Sequence, residues 1–370
     1  MSDELSLRVL VESVLPPDAA AMEAARHRQD MLAKSPGSLG RLEELSVQLA
    51  GITGNVVNTV SGKALLVFCA DNGVVEEGVS VAPQSVTAAQ TVNLVRHRTG
   101  ASVLAREFGV RLYVCDVGVN AEIKNSGVIS KKIAFGTKNI VCGPAMDRAD
   151  AFRAILTGAD MAAEAIRQGA GVIGLGEMGI GNTTTSSAVL AALTGKDAEL
   201  VTGRGGGLTD GGYFKKLNVI QTALRMNAPD PADPIDVLSR VGGFDICAMA
   251  GAFIMAAARR VPAVIDGFIS AVAALCAVRL CPNAAGYLIP SHASMEPGYR
   301  VAMEALGLRP LFDLQMRLGE GSGCPIAMMM LDAACAVMRD MATFEEAEID
   351  DTYLGVIRGT DTLGEKGAGT

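Results

Sequence analysis

Gly171-Val172-Ile173-Gly174-Leu175-Gly176-Glu177-Met178-Gly179-Ile180-Gly181-Asn182-Thr183-Thr184-Thr185 decides how this chain is read. An apolar run, Gly171–Leu175, enters the stretch, and glycines turn it. Thr183–Leu193 leaves it as an Ala-rich, helix-length pattern. A strand feeding a helix through a glycine turn is the repeating joint of a parallel α/β fold. Gly174 to Gly179 also match Gly-x-Gly-x-x-Gly, the phosphate turn of dinucleotide folds. Glu177 argues against that use, because a carboxylate in a pyrophosphate cradle would repel the ligand. It is better suited to ribose hydroxyls or a cationic ring. Gly179–Thr184 still supplies N–H groups and hydroxyls at a helix start, good equipment for a phosphate. The plain alternative is a βα turn capped by threonines.

Outward from this joint, short β-prone runs alternate with helix-length ones. Strands are expected at Ala64–Cys69, Arg111–Val117, Gly171–Leu175, Ala198–Val201, Val261–Ile265 and Gly286–Ile289. Helical patterns at Val86–Phe108, Asp150–Gln168 and Thr183–Leu193 separate many of them. The fold class expected is α/β, a doubly wound, mainly parallel, Rossmann-like sheet covered by helices on both faces. Polar or acidic residues collect where the strands end: Asp71-Asn72-Gly73, Asp116, Glu177, Asp266-Gly267, and Ser291-His292. In open α/β sheets that edge binds ligands, although turns are polar in any case. The first 60 residues read as helical, with Asp18 an N-cap before Ala19–Lys34 and Leu39, Leu42, Leu45 and Leu49 at helical spacing. From Leu311 on the pattern is helical again, with an apolar helix at Pro325–Met338. The Gly- and Thr-rich tail from Arg358 is expected to fray.

Composition narrows the function. Of 370 residues 49% are hydrophobic but only 4% aromatic, with no Trp, so the core is built of small aliphatics. The net charge is −8, and the pairs Lys131-Lys132 and Lys215-Lys216 are isolated, which disfavours nucleic acid. The 8 Cys contain no Cys-x-x-Cys pair, and with 3 His no metal-ligand spacing arises. Cys69, Cys115, Cys247 and Cys276 sit in apolar runs as small hydrophobes, consistent with a reducing compartment. Arg259-Arg260 and Asp266 cut the apolar region Ile246–Leu280 into pieces short of the ~20 residues that a membrane span needs. It reads as core. The acidic N-terminus carries no apolar signal segment.

Two further glycine-rich loops bear on chemistry. In Gly203-Arg204-Gly205-Gly206-Gly207-Leu208, Arg204 or the later Lys216 could approach a phosphate; otherwise it is a mobile, solvated loop. In Gly319-Glu320-Gly321-Ser322-Gly323, the Glu has no evident structural task, and the glycines let other groups come close to its carboxylate. Leu314, Met316 and Leu318 would raise its pKa toward that of a general base. The competing reading is an exposed turn. His27, His97 and His292 form no Ser-His-Asp pattern. His97 reads as solvated, and His292 as able to touch a ligand. Met328-Met329-Met330 reads as core.

At these loops the chain closely resembles the nicotinate-nucleotide–dimethylbenzimidazole phosphoribosyltransferases, over nearly its full length. The resemblance rests on Ser38-Leu39-Gly40-Arg41-Leu42-Glu43, Asp71-Asn72-Gly73-Val74, Glu77-Gly78-Val79-Ser80 with Pro83-Gln84, the Glu177–Thr184 loop, Asp266-Gly267, Pro290-Ser291-His292 and Arg317–Gly323. It implies a catalytic base at Glu320. It places nucleotide binding on Glu177, Met178, Gly179, Ile180, Gly181, Asn182 and Thr183, and base-pocket contacts on Ser80 and Gln84. Gly205, Lys216, Asp266, Ser291 and Leu318 complete the expected substrate contacts. The family implies a large domain, 60–310, and a small helical domain built from both chain ends, 1–59 plus 311–370, that completes the site. It also implies a cytoplasmic homodimer with no metal or redox cofactor. Its partners are small molecules, nicotinate mononucleotide and an aromatic base, not nucleic acid or membrane. The chain departs from the family at Asn72, where many members have His, and at Gly206, where Thr is common. The acceptor base is not legible: dimethylbenzimidazole, another benzimidazole, a purine or a phenol would each need different walls.

Two rivals remain at this stage. A NAD-dependent oxidoreductase would want a ribose-binding acid at a strand end about 20 residues past the glycine turn; Asp197 and Glu199 are near that distance but precede a strand candidate. A regulator that binds nucleotide without turnover would have little need of Glu320.

Overall fold

The computed structural model describes residues 2–354, so the tail from Arg358 lies outside the described residues. The elements follow the α/β rhythm of the sequence. Helices α1 (Asp3–Glu12), α2 (Ala19–Met31) and α3 (Arg41–Thr53) precede strand β1 (Lys63–Ala70). Helices α4 (Ser85–Val95) and α5 (Gly100–Glu107) lead to β2 (Arg111–Gly118) and β3 (Val128–Ser130), and α6 (Arg148–Arg167) leads to β4 (Val172–Met178). After β4 come α7 (Asn182–Thr194), α8 (Ala198–Val201), α9 (Asp210–Asn227), α10 (Pro234–Val241) and α11 (Phe244–Ala258). The chain then runs through β5 (Ala263–Ile265), α12 (Phe268–Leu280), β6 (Leu288–Pro290), α13 (Pro297–Leu306) and α14 (Cys324–Asp340).

The six strands form one sheet in the order β3-β2-β1-β4-β5-β6, every pair parallel. This is the doubly wound Rossmann order, and its direction reverses between β1 and β4. Residues 65–70 of β1 and 172–177 of β4 are buried throughout, as strands covered on both faces require. Helices α11 and α12 are buried on nearly every side, so the apolar region Ile246–Leu280 is core. No helix among the described residues is long and apolar enough to cross a membrane.

The described chain divides into two compact units: the residues to Pro16 with Ser61–Met328, and Pro17–Val60 with those from Met329. The stretches 1–16 and 311–328 thus group with the sheet rather than with the helical chain ends. For 319–323 the reason is visible: the amides of Gly321 and Gly323 are bonded to Asp266 at the end of β5. The smaller unit has its own core of Ala21, Ala25, Leu32, Ala50 and Met338. There Asp18 caps α2 as expected, accepting the Ala21 N–H at 2.9 Å, and Glu43 binds Lys34 at 2.8 Å.

Several expectations need correction. Ala198–Val201 is a helical turn, capped by Asp197, which accepts the Glu199 N–H. Val86–Phe108 is two helices, broken between Val95 and Gly100. The segment 311–323 is not helical; it runs beside β6 as loop, with Leu311 N bonded to Ser291 O. Met329, in the methionine run, is exposed while Met328 is buried.

Candidate active site

At the carboxyl ends of β1, β4 and β5 the larger unit opens into a cleft of about 430 Å³. The turn after β4 forms its floor: Glu177, Met178, Gly179, Ile180, Gly181, Asn182 and Thr183 all line it. Ser80, Gly205, Asp266, Leu318 and Glu320 line it as well. Residues expected at one site from distant parts of the sequence are thus brought together. Three expected residues stand back. Lys216 is fully buried, and its Nζ donates to Thr183 Oγ1 at 2.8 Å. Ser291 is buried with its hydroxyl on Asp266 O at 3.0 Å. Gln84 accepts from Asn120 Nδ2 at 3.0 Å outside the lining, whereas Gln90, not singled out from the sequence, faces the cleft.

One end of the cleft is suited to an anion. Gly181, at φ +94°, starts α7 with no side-chain cap. Thr183 accepts from Lys216 and so keeps its own hydroxyl proton to donate. A Cβ on Gly205 would lie 3.1 Å from that hydroxyl and 3.6 Å from Lys216 Nζ, so the second glycine-rich loop passes directly beside the pair. Burial lowers the Lys216 pKa to about 8, against a smaller upward push from Glu296. A bound phosphate would restore its charge. Arg204 is not part of this cluster: it donates to Leu208 O at 2.9 Å and pairs with Asp210.

The other end collects carboxyl groups. Glu177 is 6% exposed, and burial, with Asp245 next to it, raises its pKa to about 8. Asn182 Nδ2 donates to both Glu177 and Asp245, the latter at 3.1 Å. Asp245, raised to about 6 by burial, was not singled out from the sequence, where it is merely an acid at the head of an apolar helix. Asn72 is buried beside this group and accepts from Thr185 Oγ1 at 3.2 Å.

Glu320 is 5% exposed, and burial raises its pKa above the ordinary value. The Ala101 N–H, bonded to Oε2 at 3.3 Å, and the Thr99 hydroxyl oppose that shift, while Asp266 adds to it. Its partner is therefore the start of α5, so it does have a structural contact. The expected apolar collar is only partial, since Leu314 and Leu318 are largely exposed. His292 lines the cleft but is 1% exposed. Burial draws its pKa down, but Asp266 pushes harder and leaves it above the usual value. His97 is half-buried, its Nδ1 3.3 Å from Ser102 O. Among the described residues no cluster of His, Cys, Asp and Glu is arranged for a metal.

A Rossmann-order sheet with a glycine turn suited to an anion at its switch point, and buried carboxyl groups beside it, defines a nucleotide-handling α/β enzyme. A family model described as phosphoribosyltransferase matches residues 14–349. The nicotinate-nucleotide–dimethylbenzimidazole phosphoribosyltransferase of Desulforudis audaxviator is 51% identical over 93% of this chain and 98% of its own. That of Ruminiclostridium cellulolyticum is 49% identical over 92% and 97%. The crystal structure of CobT from Thermus thermophilus superposes with a TM-score of 0.87 at 40% identity, covering 90% of this chain and 99% of that one. The chain belongs to this phosphoribosyltransferase family.

Proposed function

We propose that this enzyme transfers 5-phosphoribose from nicotinate mononucleotide to dimethylbenzimidazole or a related aromatic base. The products are α-ribazole phosphate and nicotinate, in assembly of the lower ligand of cobalamin. The observation that carries the reading is Glu320, a buried carboxyl in the same cleft as the Thr183–Lys216 anion site. The names of the relatives support the same reaction.

In the proposed reaction the phosphate sits at the start of α7, with Thr183 and Lys216. Glu177 and Asn182 lie along the ribose and its cationic ring. The pyridinium of the donor is already a good leaving group, so it needs no protonation. One ring nitrogen of the acceptor bonds to C1 of the ribose as the C1–pyridinium bond breaks, and that electron pair leaves with nicotinate. Glu320 takes the proton from the acceptor's other nitrogen. Its raised pKa makes the ionised carboxylate a stronger base. Attack from the face opposite the leaving group inverts the anomeric carbon from β to α. The protein's share is positioning and proton removal. The eight cysteines are unpaired, which supports a reducing, cytoplasmic setting, and the homodimer of the family completes the proposal.

Chromatographic assay of nicotinate release against a panel of bases tests this. Release that depends on a benzimidazole is expected. Tight binding of the mononucleotide with no release for any base would favour a regulator. Asp197, which caps α8 instead of ending a strand, already weighs against the oxidoreductase.

A further inference from the structure

Glu320 is held in an uncommon backbone conformation. Gly319, Glu320 and Gly321 follow one another at φ +83°, +62° and +84°. A residue with a side chain is strained there unless its surroundings over-determine the geometry. The groups that do so come from the ends of two strands. Asp266, after β5, accepts the Gly321 N–H through Oδ2 at 3.0 Å and the Gly323 N–H through Oδ1 at 2.7 Å. Glu177, in β4, receives the Glu320 amide. Behind Asp266, His292 Nε2 stands 3.6 Å from Oδ1, an ion-pair distance. The imidazole is itself packed by Tyr299 and Phe312, with ring centroids at 6.5 and 6.2 Å. Asp266 is 2% exposed, and both of its oxygens are engaged by the loop.

We propose that Asp266 is a positioning residue for the transfer: by gripping the Gly321 and Gly323 amides it holds Glu320 in its left-handed conformation at the cleft, and it is not a ribose contact. The inference rests on Glu320 being the base. It replaces the expectation, drawn from the strand-end position and from the resemblance, that Asp266 touches substrate. A loop released from Asp266 would let the Glu320 carboxylate drift, and a misplacement of about 1 Å can cost about a hundredfold in rate.

The test uses the full chain and its Asp266→Asn, Glu320→Ala and doubly substituted forms. Rates are measured with donor and dimethylbenzimidazole, and donor affinity by calorimetry without acceptor. An asparagine can accept only one of the two amides. Asp266→Asn should therefore lower kcat about tenfold to a hundredfold while the donor Kd stays within about twofold. The charged and titratable groups that line the cleft with Glu320 are Asp266, Glu177, His292, Glu296 and Arg317. Since Asp266 pushes the Glu320 pKa up, its neutralisation should move the acid limb of the kcat profile to lower pH, which a purely structural role would not do. The double variant should be no slower than Glu320→Ala. A donor Kd weakened as much as kcat/KM, additive losses, or an unmoved acid limb would overturn the inference. If Asp266→Asn does not fold, Asp266→Glu, which keeps the charge but displaces the loop, is judged by the same kcat-to-Kd split. An inactive Glu320→Ala beside a fully active Asp266→Asn rejects the inference alone. Parental turnover in Glu320→Ala rejects the base assignment itself.

Discussion

Glu320 carries two loads on one carboxylate. It accepts the Ala101 N–H at the start of α5, and in the proposed reaction it takes a proton. The two loads separate by substitution. Glu320→Gln keeps an oxygen for the helix and loses the base, so kcat should fall about a hundredfold or more while the melting temperature holds. Glu320→Ala loses both. Loss of a capping acceptor is worth about 1 kcal/mol, or about 1–2 °C in a unit of this size. Steady-state rates and thermal melts of the two variants side by side check this, and equal melting losses would remove the capping role. The glycine collar made Glu320 conspicuous in the sequence. Its contact with α5 was not legible, because Ala101 is 219 residues away and nothing local encodes the meeting. Asp245 was hidden for a related reason: its place beside Glu177 comes from how α11 packs.

Elements differ in how far local chemistry reveals them. The strands β1, β2 and β4 were legible because apolar runs end in polar turns, and those turns carry the cleft. Ala198–Val201 is four residues long, too short for periodicity to choose between strand and helix, and the Asp197 cap decides for helix. β3 is three residues at the sheet edge and leaves no alternation to read. The loop 311–323 has helix-compatible residues, but tertiary bonds to Asp266 and Ser291 hold it extended or turned. The contact between β4 and this loop gives a prediction. A Cβ on Gly176 would lie 2.5 Å from the Glu320 C and O and the Gly321 N. These are backbone atoms that no rotamer change can clear. Gly176→Ala should therefore push the Gly319–Gly323 loop away and, with Glu320 as the proposed base, lower kcat about tenfold or more. Donor affinity and far-UV dichroism should stay close to the parent, because alanine fits a strand backbone. A rate equal to the parent's would mean that the loop moves without consequence.

In the whole molecule, the strand order brings two oppositely tuned groups to one cleft. Winding outward from β1 and β4 leaves a crevice at the switch point. Glu177 reaches it from β4, and Lys216, on α9, stands one hydroxyl behind it, bonded to Thr183. Burial acts on both: it lowers the Lys216 pKa to about 8 and raises that of Glu177 to about 8. Near pH 8 each group is thus open to titration when a charged ligand arrives. In the proposed complex nicotinate mononucleotide would bring a phosphate for Lys216 and a pyridinium for Glu177. In that pose the phosphate favours the charged ammonium, so Lys216 should take up protons on binding. The pyridinium favours the carboxylate, so Glu177 should release protons. In the parent the two effects oppose each other. Calorimetry near pH 8 in buffers of different ionisation enthalpy should find less net exchange in the parent than in either single variant. It should find uptake in Glu177→Gln and release in Lys216→Met, and Lys216→Met should also bind the donor more weakly. Identical proton exchange in all three proteins would mean that the donor does not lie between these groups.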